Sequence, residues 1–195
     1  MLLTNISCTR VGAGRALRLR TELLSEIFAD FSHAFPELSF ELDEASSTVN
    51  AQAIVRPGSR VVRMYGGLAY HAFVGADALV FTLLHETGHH LSSGGRLASR
   101  DELGCECAAD RWALTKGSRK LRQETRRSFA ISEVIASLER LTGPVPGHCA
   151  TTNGPKHCWA VNWSKRKRIL AAPESIPPVQ RCHLSEFFAS ETKYL

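Results

Sequence analysis

The amino-acid sequence predicts an α+β protein in which a small antiparallel or mixed sheet packs against helices. Apolar residues recur at three- and four-residue steps over residues 14–33, the helical period, and alternate with period two over 38–42, the strand period. Hydrophobic residues make up 44% of the 195 residues and charged residues 22%, which is typical of globular proteins. We expect one domain over residues 1–143 and a loop-rich C-terminal extension over 144–195 that packs on it.

The N-terminal part of the domain is predicted to contain one helix followed by three strands. Pro36 prevents the helix over residues 14–33 from continuing. The segment Arg56-Pro57-Gly58-Ser59 is typical of a tight turn, so the strands on either side of it are expected to pair as a hairpin. The three predicted strands cover residues 38–42, 48–55 and 60–65.

The C-terminal part of the domain changes to helical periodicity. A helix is predicted from Gly75 to residue 91, and the glycines at 94 and 95 are typical of its end. A second helix is expected over residues 99–116, ended by Gly117, and a third over 121–141. Beyond residue 143 the chain is rich in Pro and loop-forming residues, with a short helix expected over 184–191.

Residues 85–89 read His-Glu-Thr-Gly-His inside the helix predicted from Gly75. Side chains four residues apart project from the same face of a helix, so His85 and His89 can bind one Zn²⁺ at about 2.0–2.1 Å each. Glu86 lies beside them and can take a proton from a metal-bound water without ligating the metal. The structural alternative is a buried helix whose two histidines are satisfied by hydrogen bonds.

A catalytic zinc site takes a third protein ligand and keeps one position open for water. Glu106 is the favoured third ligand, because Asp110 follows one helical turn later and can accept a hydrogen bond from a ligand imidazole. Thiolates also bind zinc, so Cys105 and Cys107 are alternatives, and a solvated acidic helix face is the structural alternative. The less favoured residues near the motif are Asp101, Glu102 and His90.

Three segments, in this order along the chain, resemble the gluzincins, the thermolysin-like zinc metallopeptidases. They are Asn50–Ala53 (NAQA), His85–His89 (HETGH) and Glu106–Ala113 (ECAADRWA). The segments are similar to the N-A-x-A, H-E-x-G-H and E-x-x-A-D-R-x-A elements of HtpX-like minimal peptidases and their small bacterial relatives. The resemblance covers about a third of the chain, from Val49 to Leu114.

This resemblance implies a minimal zincin-like domain and a zinc-dependent endopeptidase with one catalytic ion. His85, His89 and Glu106 would be the metal ligands, Asp110 would orient a ligand imidazole, and Glu86 would be the general base toward a zinc-activated water. The substrate would be a peptide or protein, held in extended form along an edge strand that includes Asn50 and Ala51 or along the following strand, Arg60–Tyr65. The group that stabilises the oxyanion is left open among Tyr70, His148, His157, Arg181 and His183.

Two other function classes remain as alternatives to a peptidase. One is a zinc-binding regulatory or sensor module of gluzincin-like fold with little or no turnover, and the other is a metal-free helical domain. The net charge of +5 and the basic run over residues 164–168 permit nucleic-acid binding, but solvated basic loops are more common, so this partner is not expected.

The predicted compartment follows from the N-terminus and the cysteines. We expect no membrane-spanning segment, since no run approaches ~20 apolar residues, and the first residues lack the pattern of a signal peptide. The expectation is therefore a cytoplasmic protein with reduced thiols. The three late cysteines keep a periplasmic or secreted protein with a disulfide, or a second structural metal, as alternatives: Cys149, Cys158 and Cys182.

Overall fold

The protein is described from a computed structural model, which covers residues 10–93, 96–97, 100–104, 106–142 and Leu170. It consists of helices and a small mixed sheet, as the α+β prediction requires. The elements, in chain order, are α1 (Arg15–Ala34), β1 (Ser39–Asp43), β2 (Ala51–Arg56), β3 (Ser59–Tyr65), α2 (Gly66–Ala69), α3 (Ala76–Leu91), β4 (Arg96–Leu97), β5 (Arg100–Gly104), α4 (Glu106–Trp112), a π-helical turn (Ala113–Gly117), α5 (Ser118–Thr125) and α6 (Ile131–Thr142).

The three-stranded sheet has the order β1-β3-β2, with β1 parallel and β2 antiparallel to β3. The predicted hairpin is confirmed: Arg56 pairs with Ser59, and Gly58 has φ +72°, a conformation that glycine adopts without strain in such a turn. Within the described part of the chain β2 is an edge strand, and its Ala51 and Ala53 side chains are buried. The β2 edge of the sheet therefore faces the helices, since the helix that follows (α3) packs against β2.

Helix α3 is the central element of the domain. Twelve of its sixteen residues are buried, so it contacts neighbours on all sides rather than along one stripe. It packs against β2 and β3 on one side and against α4 and α6 on others. Leu170, from the segment predicted to be an extension, is 2% exposed and lies in the same apolar cluster as α3, while the predicted boundary at residue 143 stays a prediction.

Helix α1 covers this core on another side. Leu24, Ile27 and Phe31 lie on one face at helical spacing and are buried, and Phe31 makes ring contacts with Phe35 and Phe40. The helix begins and ends within one residue of the predicted 14–33. No helix in the described part of the chain has the length and apolarity needed to cross a lipid bilayer.

Two helices of the sequence prediction are wrong in their bounds. Residues 100–104 form β5, paired with β4, so the helix expected over 99–116 begins only at Glu106. Gly117 does not end that helix, because the chain continues through the π-helical turn into α5. The helix expected over 121–141 is interrupted at 126–130, where Arg126 adopts φ +63° and ends α5.

Other predictions fall on residues outside the described ranges. These are the short helix over 184–191, the basic run over 164–168, the pairing of Cys149, Cys158 and Cys182, Cys105 as a ligand, and the side chains of Cys107, Asp101 and Glu102.

Candidate metal centre

The motif helix brings three ionisable side chains together inside the protein. His85 is 2% exposed, Glu86 3% and His89 4%, and one donor atom from each lies within 4.8 Å of the others. This buried group could hold a metal ion. Burying three such groups is unfavourable unless hydrogen bonds or a metal compensate them, so each one needs a partner.

The two imidazoles present the same nitrogen to a common point. Nε2 of His85 and Nε2 of His89 are 3.1 Å apart, as expected for histidines one turn apart on α3. On the far side of each ring, Nδ1–H of His85 donates to Asp110 Oδ1 at 2.8 Å and Nδ1–H of His89 donates to the Gly104 carbonyl at 2.6 Å. Both acceptors lack a proton to give, so they fix the Nδ1–H tautomer and leave Nε2 as the ligating atom.

Glu106, the predicted third ligand, lies at the same point. Its Oε2 is 3.1 Å from His85 Nε2, and its Oε1 is 3.6 Å from His89 Nε2. Ligands at about 2.0–2.1 Å from a tetrahedral ion are about 3.3 Å from one another, so two separations, Nε2 to Nε2 and His85 Nε2 to Oε2, each 3.1 Å, are close to the edge of a tetrahedral zinc site. The donor set, two imidazoles and a carboxylate, also fits zinc chemically.

Helix α4 reaches this position because it packs against α3 with very little space between the backbones. A Cβ added to Gly88 would lie 2.7 Å from the carbonyl oxygen of Ala109 and 2.9 Å from its Cα. Only glycine therefore permits this approach. Since Ala109 lies between Glu106 and Asp110 on α4, the same contact places both carboxylates toward the imidazoles.

Asp110 determines the electrostatics of the metal-free site. It is 1% exposed and faces His85, while Glu106 lies on the opposite nitrogen of the same ring. Burial lowers the pKa of His85, but the two carboxylates outweigh this effect and raise the pKa from 6.5 to about 9. In the absence of a metal, a proton on His85 therefore compensates the charges of the two carboxylates.

Glu86 lies beside the two histidines and contacts the sheet. Its Oε2 accepts a hydrogen bond of 2.8 Å from the backbone N–H of Ala53 in β2. Ala51, the first residue of β2, and Asn50, which precedes it, are the predicted substrate-binding residues, and they line a cleft together with His85 and Glu86. The structure thus brings together all seven residues that the sequence singled out: Asn50, Ala51, His85, Glu86, His89, Glu106 and Asp110.

The cleft beside the donor atoms is small, with a cavity volume of about 30 Å³. Apolar side chains from the segment before β2, from α2, from α3 and from α6 line it: Val49, Leu68, Phe81, Leu138 and Leu141. A binding site is commonly an apolar concavity with a few polar groups at one wall, and His85, Glu86 and Asn50 supply those groups here.

Sequence reasoning missed three features of the site. The Gly104 carbonyl and the Ala53 amide are backbone groups, which leave no side-chain pattern in a sequence, and α6 lies outside the motif segments.

His90 is buried, and its Nε2–H donates to the Val61 carbonyl at 3.0 Å, which fits the expectation that it does not ligate. Tyr70, one of the oxyanion candidates, stacks with Arg10 and is buried next to α1, whereas His148, His157, Arg181 and His183 lie outside the described residues.

The site was also compared with known proteins. No protein-family model, no curated protein and no solved structure matches this chain. Membership of a family therefore stays a prediction from the three motif segments, and the chemical interpretation of the site rests on the convergence of its own side chains.

Proposed function

We propose that this chain is a zinc-dependent metalloendopeptidase of the gluzincin type, with a minimal zincin-like fold. The observation that carries the proposal is the convergence of His85 Nε2, His89 Nε2 and the Glu106 carboxylate: the two nitrogens are 3.1 Å apart, Oε2 is 3.1 Å from His85 Nε2, and Oε1 is 3.6 Å from His89 Nε2. Two imidazoles and a carboxylate this close suit a tetrahedral ion with three protein ligands, and such an ion keeps one position open, as catalytic zinc sites do.

In this proposal His85, His89 and Glu106 hold the ion, while Asp110 and the Gly104 carbonyl orient the two rings. A bound Zn²⁺ supplies Lewis acidity, which polarises a carbonyl and makes water acidic enough to attack at neutral pH. Glu86 takes the proton from the attacking water and delivers it to the departing amine, since its carboxylate lies within 4.8 Å of the donor nitrogens without being needed as a ligand.

The substrate is proposed to be a peptide or protein segment in extended form. Ala51 begins the edge strand β2 and lines the cleft beside Glu86, with Asn50 next to it, so an extended substrate would pair with this segment from within the cleft. The apolar wall formed by Phe81, Leu138 and Leu141 favours a small apolar group next to the bond that is cleaved. Backbone pairing would then supply affinity and the cleft would supply selectivity.

The test is a pair of measurements on the full chain. We expect about one Zn²⁺ per chain in the purified protein and cleavage of casein that stops when a chelator is added and resumes when zinc is restored. Glu86→Gln should lower cleavage at least about 100-fold, because it removes the base, while zinc content stays near one per chain. Glu124→Gln, an exposed residue of α5, is the matched control and should retain full activity.

The outcomes separate the three function classes. Stoichiometric zinc without any cleavage would support the regulatory or sensor module instead. Purified protein that neither contains nor takes up zinc would leave only the metal-free domain. Chelator-sensitive cleavage that persists in Glu86→Gln would contradict the role of Glu86 and keep the metal assignment.

A further inference from the structure

The hydrogen bond between Ala53 and Glu86 joins the edge of the sheet to the motif helix. The donor is a backbone amide in β2 and the acceptor is Glu86 Oε2, at 2.8 Å. Both residues are buried, Ala53 at 5% exposure and Glu86 at 3%. A buried backbone N–H and a buried carboxylate both need a partner, so this contact satisfies two groups at once.

The Ala53 amide is available for this contact because of the register of the hairpin. Tyr65 N–H donates to the Asn50 carbonyl, so Asn50 belongs to a hydrogen-bonded pair across β2 and β3. In an antiparallel ladder such pairs alternate, which directs the backbone groups of Ala51, Ala53 and Val55 away from β3. These three amides therefore lie on the side of β2 that faces away from β3, and Glu86 accepts a hydrogen bond from the middle one.

We propose that the Ala53 amide is a positioning group for Glu86. This inference rests on the proposed peptidase function and deepens it. It assigns Ala53 a role that its side chain does not reveal, because the backbone N–H makes the contact.

The hydrogen bond from Ala53 restricts the rotation of the Glu86 carboxylate. A glutamate side chain has three rotatable bonds, and the last one turns with little preference between orientations. Holding Oε2 on a rigid strand fixes that rotation, and with it the position of the second oxygen, which must face the attacking water. A displaced catalytic group of this kind costs about 10- to 100-fold in rate.

The cleanest test replaces the Ala53 amide by an ester, which exchanges N–H for oxygen and leaves the side chain unchanged. We expect kcat to fall about 10- to 100-fold, with KM and zinc content unchanged. The same replacement at Val55, whose amide faces the same way without contacting Glu86, should change neither value.

Proline variants provide a second route, because proline removes the backbone donor and edge strands tolerate it. Ala53→Pro should lower kcat and Val55→Pro should not. If KM rises in both proline variants, or if kcat falls equally in both, the strand itself is damaged. Either result would overturn the positioning role of the Ala53 amide.

A readout independent of turnover is the scalar coupling across the hydrogen bond, from the Ala53 amide nitrogen to the Glu86 carboxyl carbon, measured by NMR on the zinc-loaded protein. We expect the coupling in the wild type and its loss in Glu86→Ala. Its absence from the wild type overturns the inference, as does normal kcat in the Ala53 ester. A wild type with zinc but no hydrolysis overturns the proposed function as well, so the two failures are distinguishable.

Discussion

Helices α3 and α4 both contribute to the candidate metal centre, but they reach it in different ways. In α3 the spacing of His85 and His89 is set within one helix, so the 3.1 Å separation of their Nε2 atoms follows from local geometry. In α4 the carboxylates of Glu106 and Asp110 depend on packing between two helices at Gly88 and Ala109. The positions of the two histidines therefore follow from the geometry of one helix, whereas the positions of the two carboxylates depend on a tertiary contact.

The largest effect is expected from Glu106→Ala, which removes the only direct donor that α4 supplies among the described residues. Zinc affinity should fall by more than about 100-fold, beyond the 10- to 100-fold loss typical of a residue that only orients a ligand. The fold should persist, because the Glu106 side chain is 32% exposed. A competition titration with a coloured chelator measures the affinity. Glu124→Ala on exposed α5 is the control, and an affinity within threefold of wild type in Glu106→Ala would contradict the ligand assignment.

Gly88→Ala tests the contact that places α4. The added methyl group would lie 2.7 Å from a backbone oxygen, which cannot rotate away, so α4 must shift. We expect a loss of about 1–3 kcal/mol in the free energy of unfolding, together with weaker zinc binding because both carboxylates move. Urea unfolding of the metal-free protein measures the first effect.

Gly75→Ala, at the start of the same helix, is the matched control for that experiment. Its added Cβ would meet only the Ser137 hydroxyl at 3.2 Å, a side-chain atom that can adjust. Its unfolding free energy should stay within about 0.5 kcal/mol of wild type. Equal losses at Gly75 and Gly88 would mean that the close approach of α3 and α4 is not what stabilises the site.

The sequence predicts the parts of the fold and site that depend on local geometry better than the parts that depend on tertiary contacts. The helix from Gly75 and the hairpin at Arg56–Ser59 were predictable, since periodicity and turn residues are local signals. The helix expected over 99–116 was wrong at its start, because residues 100–104 pair with β4 and pack against α3, and these contacts override helical periodicity. Glu106 and Asp110 were nevertheless identified, because their spacing on α4 survives the error in its first residue.

Asp110→Asn is expected to have a smaller effect than loss of a ligand. Asn can still accept the hydrogen bond from His85 Nδ1–H, but it lacks the charge that raises the basicity of the ring. We expect zinc affinity to fall about 10- to 100-fold, with a single zinc still bound at saturation. Metal analysis and the chelator titration together check this. A variant that no longer binds zinc at saturation would place Asp110 among the ligands themselves.

The affinity for zinc is also expected to depend on pH because of His85, and the change for each pH unit is smaller than the effects above. Zinc must displace the proton that Asp110 and Glu106 stabilise on this ring, so below pH about 9 each unit of acidification should weaken binding about tenfold. Titrations between pH 6.5 and 9 measure the slope. Because Asp110→Asn removes part of the cause of the raised pKa, the slope in that variant should begin at lower pH.

The stability of the metal-free protein should respond to pH with the opposite sign. A pKa raised from 6.5 to about 9 on folding means that the folded state binds the proton more tightly than the unfolded state. The resulting stabilisation, on the order of a few kcal/mol, is complete below pH 6.5 and disappears as the pH rises toward 9. Metal-free protein should therefore melt at lower temperature at pH 9 than at pH 6.5, while zinc-loaded protein should not. Metal-free stability that rises over this interval would mean that His85 carries no proton in the folded protein.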